Sequence, residues 1–263
     1  MGRGVRETIV ITGASHGIGE ATAKRLAQPG AELMLLARSE DALDKICKEI
    51  SHNGGHADYL VADLSTVDLA RNAAREIAAR CEAIDILVLN AGTSNDKPFQ
   101  MAILDEIVYE LGVNYLAPVA LLHTLLPRLN RPHSHVIVVG SLTAIMPFPF
   151  NATYAASKAA LLALIKSLRL EMKATGIHFG IVLPGLTATA ATAEMKSPLP
   201  RASPEKIAEA IYRCISQRRG LLIPGMGNRI AAAFFQQFPS LAEKVVTPFK
   251  DRLFPRLEDH SGE

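Results

Sequence analysis

The 263-residue chain predicts a doubly wound α/β fold, with about seven parallel strands in one sheet and helices on both faces. Two observations carry this. Short apolar runs alternate with longer amphipathic ones along most of the chain. The short runs are β-branched or Leu-rich without two-residue alternation, as strands buried on both faces require. Strands are expected at 8–11, 32–37, 57–61, 84–89, 135–139, 178–183 and 221–223. Helices are expected at 19–28, 40–53, 67–81, 104–129, 153–175 and 204–218. Ser203 followed by Pro204 marks the start of the last of these, a cap followed by proline in the first turn. No repeat or low-complexity linker divides the chain. A single domain is expected over 1–225, followed by a helical extension over 226–263.

Composition narrows the function classes. Hydrophobic residues make up 49% of the chain, charged residues 21%, and the net charge is +2. That balance lacks the basic footprint of a nucleic-acid binder. Cys47, Cys81 and Cys214 are odd in number and far apart. They suit buried thiols in a reducing compartment better than disulfides or a zinc site, so no metal is expected. The first residues, Met1 to Glu7, lack the apolar core of a signal peptide. No apolar run approaches the ~18 residues of a membrane span. A cytoplasmic protein is the resulting expectation.

The first strand runs into Thr12-Gly-Ala-Ser-His-Gly-Ile-Gly19, with a helix following. Glycines at 13, 17 and 19 allow a tight turn and close approach to a pyrophosphate. The helix N-terminus adds N–H groups and partial positive charge. Gly13, Ser15, His16, Gly17, Ile18 and Gly19 are therefore expected at a dinucleotide. The second strand ends in Ala37-Arg38-Ser39 with no carboxylate for a ribose 2′-hydroxyl. Arg38 and Ser39 suit a 2′-phosphate, which points to NADP(H), and His16 is a candidate assistant. Asp63-Leu64 after the third strand is a candidate adenine contact. Asn90-Ala91-Gly92 after the fourth allows the cofactor to lie close to the backbone.

Tyr154 and Lys158, four residues apart, share one helix face. An ammonium beside a phenol favours the phenolate, so Tyr154 is expected to titrate below its usual value of about 10 and act as an acid/base group. Ser141, thirteen residues upstream, is the hydroxyl expected to hold a substrate oxygen. Taken alone, the Tyr–Lys pair is a weak signal, and its context decides.

These elements together resemble the short-chain dehydrogenase/reductase family in its compact single-domain branch, which has a Rossmann-type sheet. The resemblance rests on the glycine loop, Asp63, Asn90-Ala-Gly92, Asn114, Ser141, Tyr154-x-x-x-Lys158 and Pro184-Gly185 with Thr189, in the family's order over residues 8 to about 225. It implies that Tyr154 is the general acid/base and that Lys158 tunes it and binds the nicotinamide ribose. Ser141 would orient the substrate, and Asn114 would hold a water linking Lys158 to solvent. Pro184, Gly185, Thr187 and Thr189 would position the nicotinamide. Leu89 stands where the family commonly has a second Asn, and His16 where a basic residue is common. The implied activity is hydride transfer between NADP(H) and a carbonyl or secondary alcohol. A homodimer or homotetramer is implied, with segments 104–129 and 153–175 at one interface. The alternative is a non-catalytic nucleotide-sensing scaffold, against which the full set Asn114, Ser141, Tyr154 and Lys158 argues. A sugar-nucleotide epimerase would need a larger substrate domain.

The substrate side is read from two segments. Met146, Phe148 and Phe150 are expected to form an apolar wall, and the loop 186–200, with Met195, a lid. Both suit an apolar or lipid-like ketone or alcohol. In the extension, Ile230, Phe234, Phe238, Leu241, Val245, Phe249 and Leu253 recur at helical spacing. Five basic residues from Arg229 to Arg256 face only Glu243 and Asp251. Such a segment over 226–257 can contact a membrane surface, pack on the domain or meet another subunit. Pro239 and Pro248 are expected to break it.

Overall fold

The computed structural model describes residues 7–130, 132–189, 192 and 200–247. Seven strands form one parallel sheet in the order β3-β2-β1-β4-β5-β6-β7. They are β1 Glu7–Thr12, β2 Ala31–Ala37, β3 His56–Val61, β4 Ile86–Leu89, β5 His135–Val139, β6 His178–Val182 and β7 Leu221–Leu222. The fourth strand is shorter than expected because Ile84 pairs separately with Leu129. The order reverses between β1 and β4, so the crevice for a ligand opens at the carboxyl ends of these two strands.

Helices cover both faces: α1 Gly17–Leu26, α2 Glu40–His52, α3 Val67–Arg80, α4 Leu104–Leu111, α5 Ala117–Leu125, α6 Ala152–Glu171 and α7 Pro204–Ser216. Side-chain caps set three of the starts. Ser39 accepts from the Ala42 amide, Thr66 from Leu69 and Ser203 from Lys206, each cap contributing about 1 kcal/mol. The fully apolar strands are sandwiched between two cores. One joins α3, α5 and α6 to the sheet through residues such as Leu121, Leu125, Leu161 and Phe179. The other joins α1, α2 and α7 through Leu35, Leu43, Ile207 and Ile211. Burying each such side chain is worth about 1.5–3 kcal/mol.

The expected single helix over 104–129 is interrupted. A π-turn at Gly112–Leu116 separates α4 from α5. Extra residues in a helical turn leave backbone groups out of register, and such bulges frequently mark functional sites. The interruption sits at Asn114.

Past Gly225 come α8, Met226–Gln237, and α9, Pro239–Val246. Pro239 breaks the helix as expected, while Pro248, Phe249 and Leu253 lie outside the described residues. The face that packs on the domain is not the expected stripe. Ala232 is buried with Leu142 and Met146, and Ala231 and Phe235 pack beside them. Ile230, Phe238, Leu241 and Val245 remain exposed. No helix among the described residues is long and apolar enough to cross a membrane.

Candidate active site

The glycine loop links β1 to α1 in a conformation that its residues dictate. Gly13 and Gly17 have φ of 65° and 58°, values that side chains other than hydrogen rarely tolerate. A Cβ on Gly19 would lie 2.0 Å from the Gly13 carbonyl oxygen, and one on Gly13 2.8 Å from Ala91 Cα. The N-cap residue His16 is extended and makes no side-chain cap to α1; its Nδ1 lies 2.9 Å from Ser15 Oγ instead. Ile18 is half-buried, and no side chain caps the first turn of α1. Such a loop at a positive helix end suits a pyrophosphate.

Asn90 has a part that the sequence did not reveal. Its Nδ2 donates to the carbonyls of Thr12 and Gly13 at 3.0 and 3.1 Å. The amides of Asn90 and Ala91 both donate to the buried Thr12 hydroxyl at 3.0 Å. Thr12 and Asn90 thus staple the end of β4 to the glycine loop. A sequence signal existed, since a threonine closing an apolar strand has a hydroxyl that needs a partner.

The other nucleotide-side residues fall on the same edge. Arg38 is exposed at the end of β2 and donates from Nη1 to the Tyr109 hydroxyl at 3.1 Å. Ser39 accepts from α2 and keeps its own hydrogen to donate. Asp63 accepts from the Ser65 amide and hydroxyl at 3.0 and 2.8 Å, a strand-end turn, and Leu64 is buried beside it. Arg38 and Ser39 could hold a phosphate. At the end of β6, buried Pro184 accepts from the Leu142 amide. Thr187 donates to the Gly185 carbonyl, and Thr189 Cγ2 lies 3.1 Å from a Cβ placed on Gly17. Thr192 donates to the Thr187 carbonyl and accepts from the Thr189 amide, closing this turn. A cleft of about 980 Å³ lies outside this loop, between α1 and α7. Gly17 and Thr189 line it, whereas Ser141 and Tyr154 do not.

Ser141, Tyr154, Lys158 and Asn114 converge beside Gly92. Ser141 is extended, accepts from the Thr143 amide at 3.2 Å and from the Thr143 hydroxyl at 2.9 Å, and contacts the Tyr154 hydroxyl. A Cβ on Gly92 would lie 3.1 Å from Lys158 Nζ and 3.2 Å from Asn114 Oδ1. Only glycine leaves this corner open. Asn114, wholly buried, grips Thr93 at both its amide and its carbonyl, each at 2.8 Å, and donates to Ser157 Oγ at 3.1 Å. Ser157 in turn donates to the Tyr154 carbonyl at 2.7 Å. Asn114 is therefore a strut between α6 and the β4 exit.

The electrostatics differ from the sequence expectation. Tyr154 is not pulled down by Lys158. Burial raises its phenol to about 12, with the Ser141 contact opposing and the charges of Asp96 and Glu110 adding. Burial lowers Lys158 to about 8, with Glu110 opposing. The reason is geometric. Lys158 Nζ lies 5.6 Å from the Tyr154 ring centroid, is 3% exposed, and donates to the Val139 carbonyl at 3.4 Å. At rest, burial of the phenol therefore outweighs any pull from the ammonium. The arrangement keeps Tyr154 a protonated donor.

Of the expected substrate wall, Met146 is only 5% exposed and lies beneath α8, while Phe148 packs on Phe235. Phe150 is half-buried with φ of 64°, a left-handed turn just before α6. Met195 and most of the expected lid, residues 190–191 and 193–199, lie outside the described residues. Among the described residues no His, Cys, Asp or Glu cluster could hold a metal, and all three cysteines are buried and unpaired.

Known proteins share this construction. The family model described as short chain dehydrogenase matches residues 7–199. The chain is 33% identical over 264 residues to the Xenopus laevis protein named dehydrogenase/reductase SDR family member 7B, covering 91% of this chain and 80% of that one. Among solved structures, the alcohol dehydrogenase of the archaeon Thermococcus sibiricus complexed with 5-hydroxy-NADP superposes with a TM-score of 0.75 at 30% identity. It covers 83% of this chain and 95% of its own. A short chain dehydrogenase from Burkholderia cenocepacia in complex with NADP gives 0.76 at 28% identity, covering 85% and 98%. With a seven-stranded parallel sheet, a glycine cradle at its switch point and these relatives, the chain belongs to the short-chain dehydrogenase/reductase family of oxidoreductases.

Proposed function

We propose that this protein is an NADP(H)-dependent reductase of apolar, lipid-like ketones, working in the direction of the alcohol. The observation that carries the reading is the convergence of Ser141, Tyr154 and Lys158 beside Gly92, with Tyr154 held protonated. The cofactor residues fit NADP(H). The cradle at Gly13, Gly17 and Gly19 takes the pyrophosphate, Arg38 and Ser39 the 2′-phosphate, and Asp63 the adenine. Lys158 takes the nicotinamide ribose, and Pro184, Gly185, Thr187 and Thr189 the nicotinamide. When bound, the cofactor supplies the hydride. Ser141 donates to the substrate carbonyl oxygen and fixes its position. Tyr154 delivers its proton to that oxygen as negative charge develops there. The nearby Lys158 ammonium stabilises the tyrosinate that remains until a proton returns from solvent. Phe148 and Phe150 offer apolar contact to the substrate.

Two surfaces complete the reading. Leu104 and Val108 on α4 and Leu170 on α6 are exposed apolar residues that suit a contact with a second copy of the chain. Ile230, Phe238, Leu241 and Val245, flanked by Arg229 and Lys244, suit peripheral contact with an anionic membrane, where a lipid-like ketone would be met. The test is NADPH oxidation against a panel of ketones of increasing chain length, with Tyr154→Phe as control. Turnover that rises with chain length and vanishes in the variant is expected. Equal turnover by the variant would refute the acid assignment.

A further inference from the structure

We propose that Glu110 is the buried counter-charge of Lys158, a positioning residue that keeps the ammonium charged beside Tyr154 while the proton is delivered. This rests on the carbonyl-reduction reading above. Glu110 lies at the end of α4, four residues before Asn114, and is 1% exposed. One carboxylate oxygen, Oε1, accepts from the Asn95 amide at 3.0 Å. The other, Oε2, is fully buried and has no hydrogen-bond partner among the described residues. Burying a carboxylate oxygen without a partner is costly unless a charge compensates it.

The compensating charge is at the same corner. Asn114 grips Thr93, and Glu110 grips Asn95, two residues further along the β4 exit. Both side chains therefore point from α4 and its π-turn toward the segment that begins at Gly92, where Lys158 Nζ arrives. Lys158 is itself buried and has no carboxylate within 4.0 Å among the described residues, its hydrogen bond going to the Val139 carbonyl. The ionisable groups at this corner are Tyr154 on the same helix, Glu110 on α4, and Asp96 on the β4 exit, which acts on Tyr154. Asp96 is engaged by the Ser94 hydroxyl and the Asn151 amide group. Glu110 is the carboxylate whose charge acts on Lys158, opposing the effect of burial. It also acts on Tyr154, in the direction that retains the phenol proton. The Glu110 charge thus favours the protonated form of both groups, with burial and Asp96 weighing more at Tyr154.

A strap and a counter-charge make opposite demands on the side chain. Glu110→Gln keeps an Oε1 acceptor for the Asn95 amide and loses the charge. Glu110→Asp keeps the charge and shortens the reach. Two readouts follow for the full-length protein. In the pH profile of kcat/KM for ketone reduction, activity is lost as Lys158 deprotonates. Glu110→Gln should move this alkaline limb down by about one pH unit, while Glu110→Asp keeps it near the wild-type position. In thermal melts, a buried lysine with a lower folded pKa gains stability as pH rises toward 10.5. The melting deficit of Glu110→Gln should therefore shrink from pH 7 to pH 9.5. A constant deficit across that range overturns the proposal, whether or not the protein reduces ketones. So does an unmoved alkaline limb in Glu110→Gln. Absence of turnover in the wild-type protein would instead count against the carbonyl reading, leaving the melts to decide the role of Glu110.

Discussion

The rings of Phe148 and Phe235 stand 6.4 Å apart between centroids, at an interplanar angle of 48°. They join the segment after Ser141 to the first helix past Gly225. Beneath them Ala232 is buried against Leu142 and Met146. At the other end of α8, a Cβ on Gly185 would lie 2.7 Å from Asn228 Nδ2. The extension therefore touches both segments expected around the substrate. It packs against the segments that follow Ser141 and Pro184.

Replacing Phe235 by Ala should loosen this packing. The ring is half-buried, so about 1–2 kcal/mol of stability should be lost, less than the 3–5 typical of a core phenylalanine. The sharper expectation is kinetic. KM for long apolar ketones should rise several-fold while KM for a short ketone changes little, read from steady-state kinetics with the two substrates. Equal effects on both would mean that α8 supports the fold without shaping the pocket.

Arg38 stands at the exposed end of β2, held by the Tyr109 hydroxyl, where the proposed reading puts the 2′-phosphate. Arg38→Asp should exchange a charge-assisted bond for repulsion of the phosphate and offer a carboxylate to a ribose hydroxyl. A loss of about 1.5–3 kcal/mol on the phosphorylated cofactor corresponds to roughly 10- to 100-fold in the NADPH-to-NADH preference. Paired KM measurements for the two cofactors decide it, and an unchanged ratio would remove Arg38 from phosphate recognition.

Gly19→Ala tests the cradle without touching any charge. The added methyl would meet the Gly13 carbonyl at 2.0 Å, so backbone must move. Overpacking of this kind costs about 1–3 kcal/mol. It should appear as at least about tenfold weaker cofactor binding in a fluorescence titration. Gly227→Ala, where a Cβ meets nothing within 4 Å, serves as a control and should bind as the wild type does.

Sequence reasoning located the sheet, the glycine loop and the Ser141–Tyr154–Lys158 set because each is written in local spacing. Strands buried on both faces read as unbroken apolar runs, and a helix face reads at intervals of four. Three features escaped it because they depend on contacts distant in the chain. Thr12 and Asn90 are 78 residues apart and meet only when β1 and β4 pair. The π-turn at Asn114 has no propensity signal; Asn114 within it and Glu110 just before it both contact the β4 exit. The stripe from Ile230 to Val245 has helical spacing, yet the face that packs on the domain is carried by Ala232, with Ala231 and Phe235 beside it. Periodicity identifies an apolar face but not which of two faces finds a partner. For the same reason spacing predicts a lowered Tyr154 while the structure raises it: spacing places Lys158 near but does not show that burial dominates at both groups.

The far end of the sheet carries a titration of its own. His135 and His178 begin the paired strands β5 and β6, with Nδ1 atoms 3.0 Å apart and rings set edge-to-face. Burial, the facing His178 and Arg218 lower His135 to about 4, against a pull from Asp85. Burial likewise lowers His178, with Arg218 and Arg169 adding to the effect. A base whose folded pKa is depressed binds its proton first in the unfolded chain. Its contribution to stability is therefore full above about pH 6.5 and lost as pH falls toward 4. Allowing for partial exposure, the pair should cost on the order of 1–2 kcal/mol over that window. For a domain of this size that is about 2–6 °C in Tm. His135→Gln removes one titrating partner and should reduce the fall in Tm between pH 7 and pH 5 by about half. Melts of the two proteins at both pH values check it, and an equal fall would show that the acid sensitivity arises elsewhere.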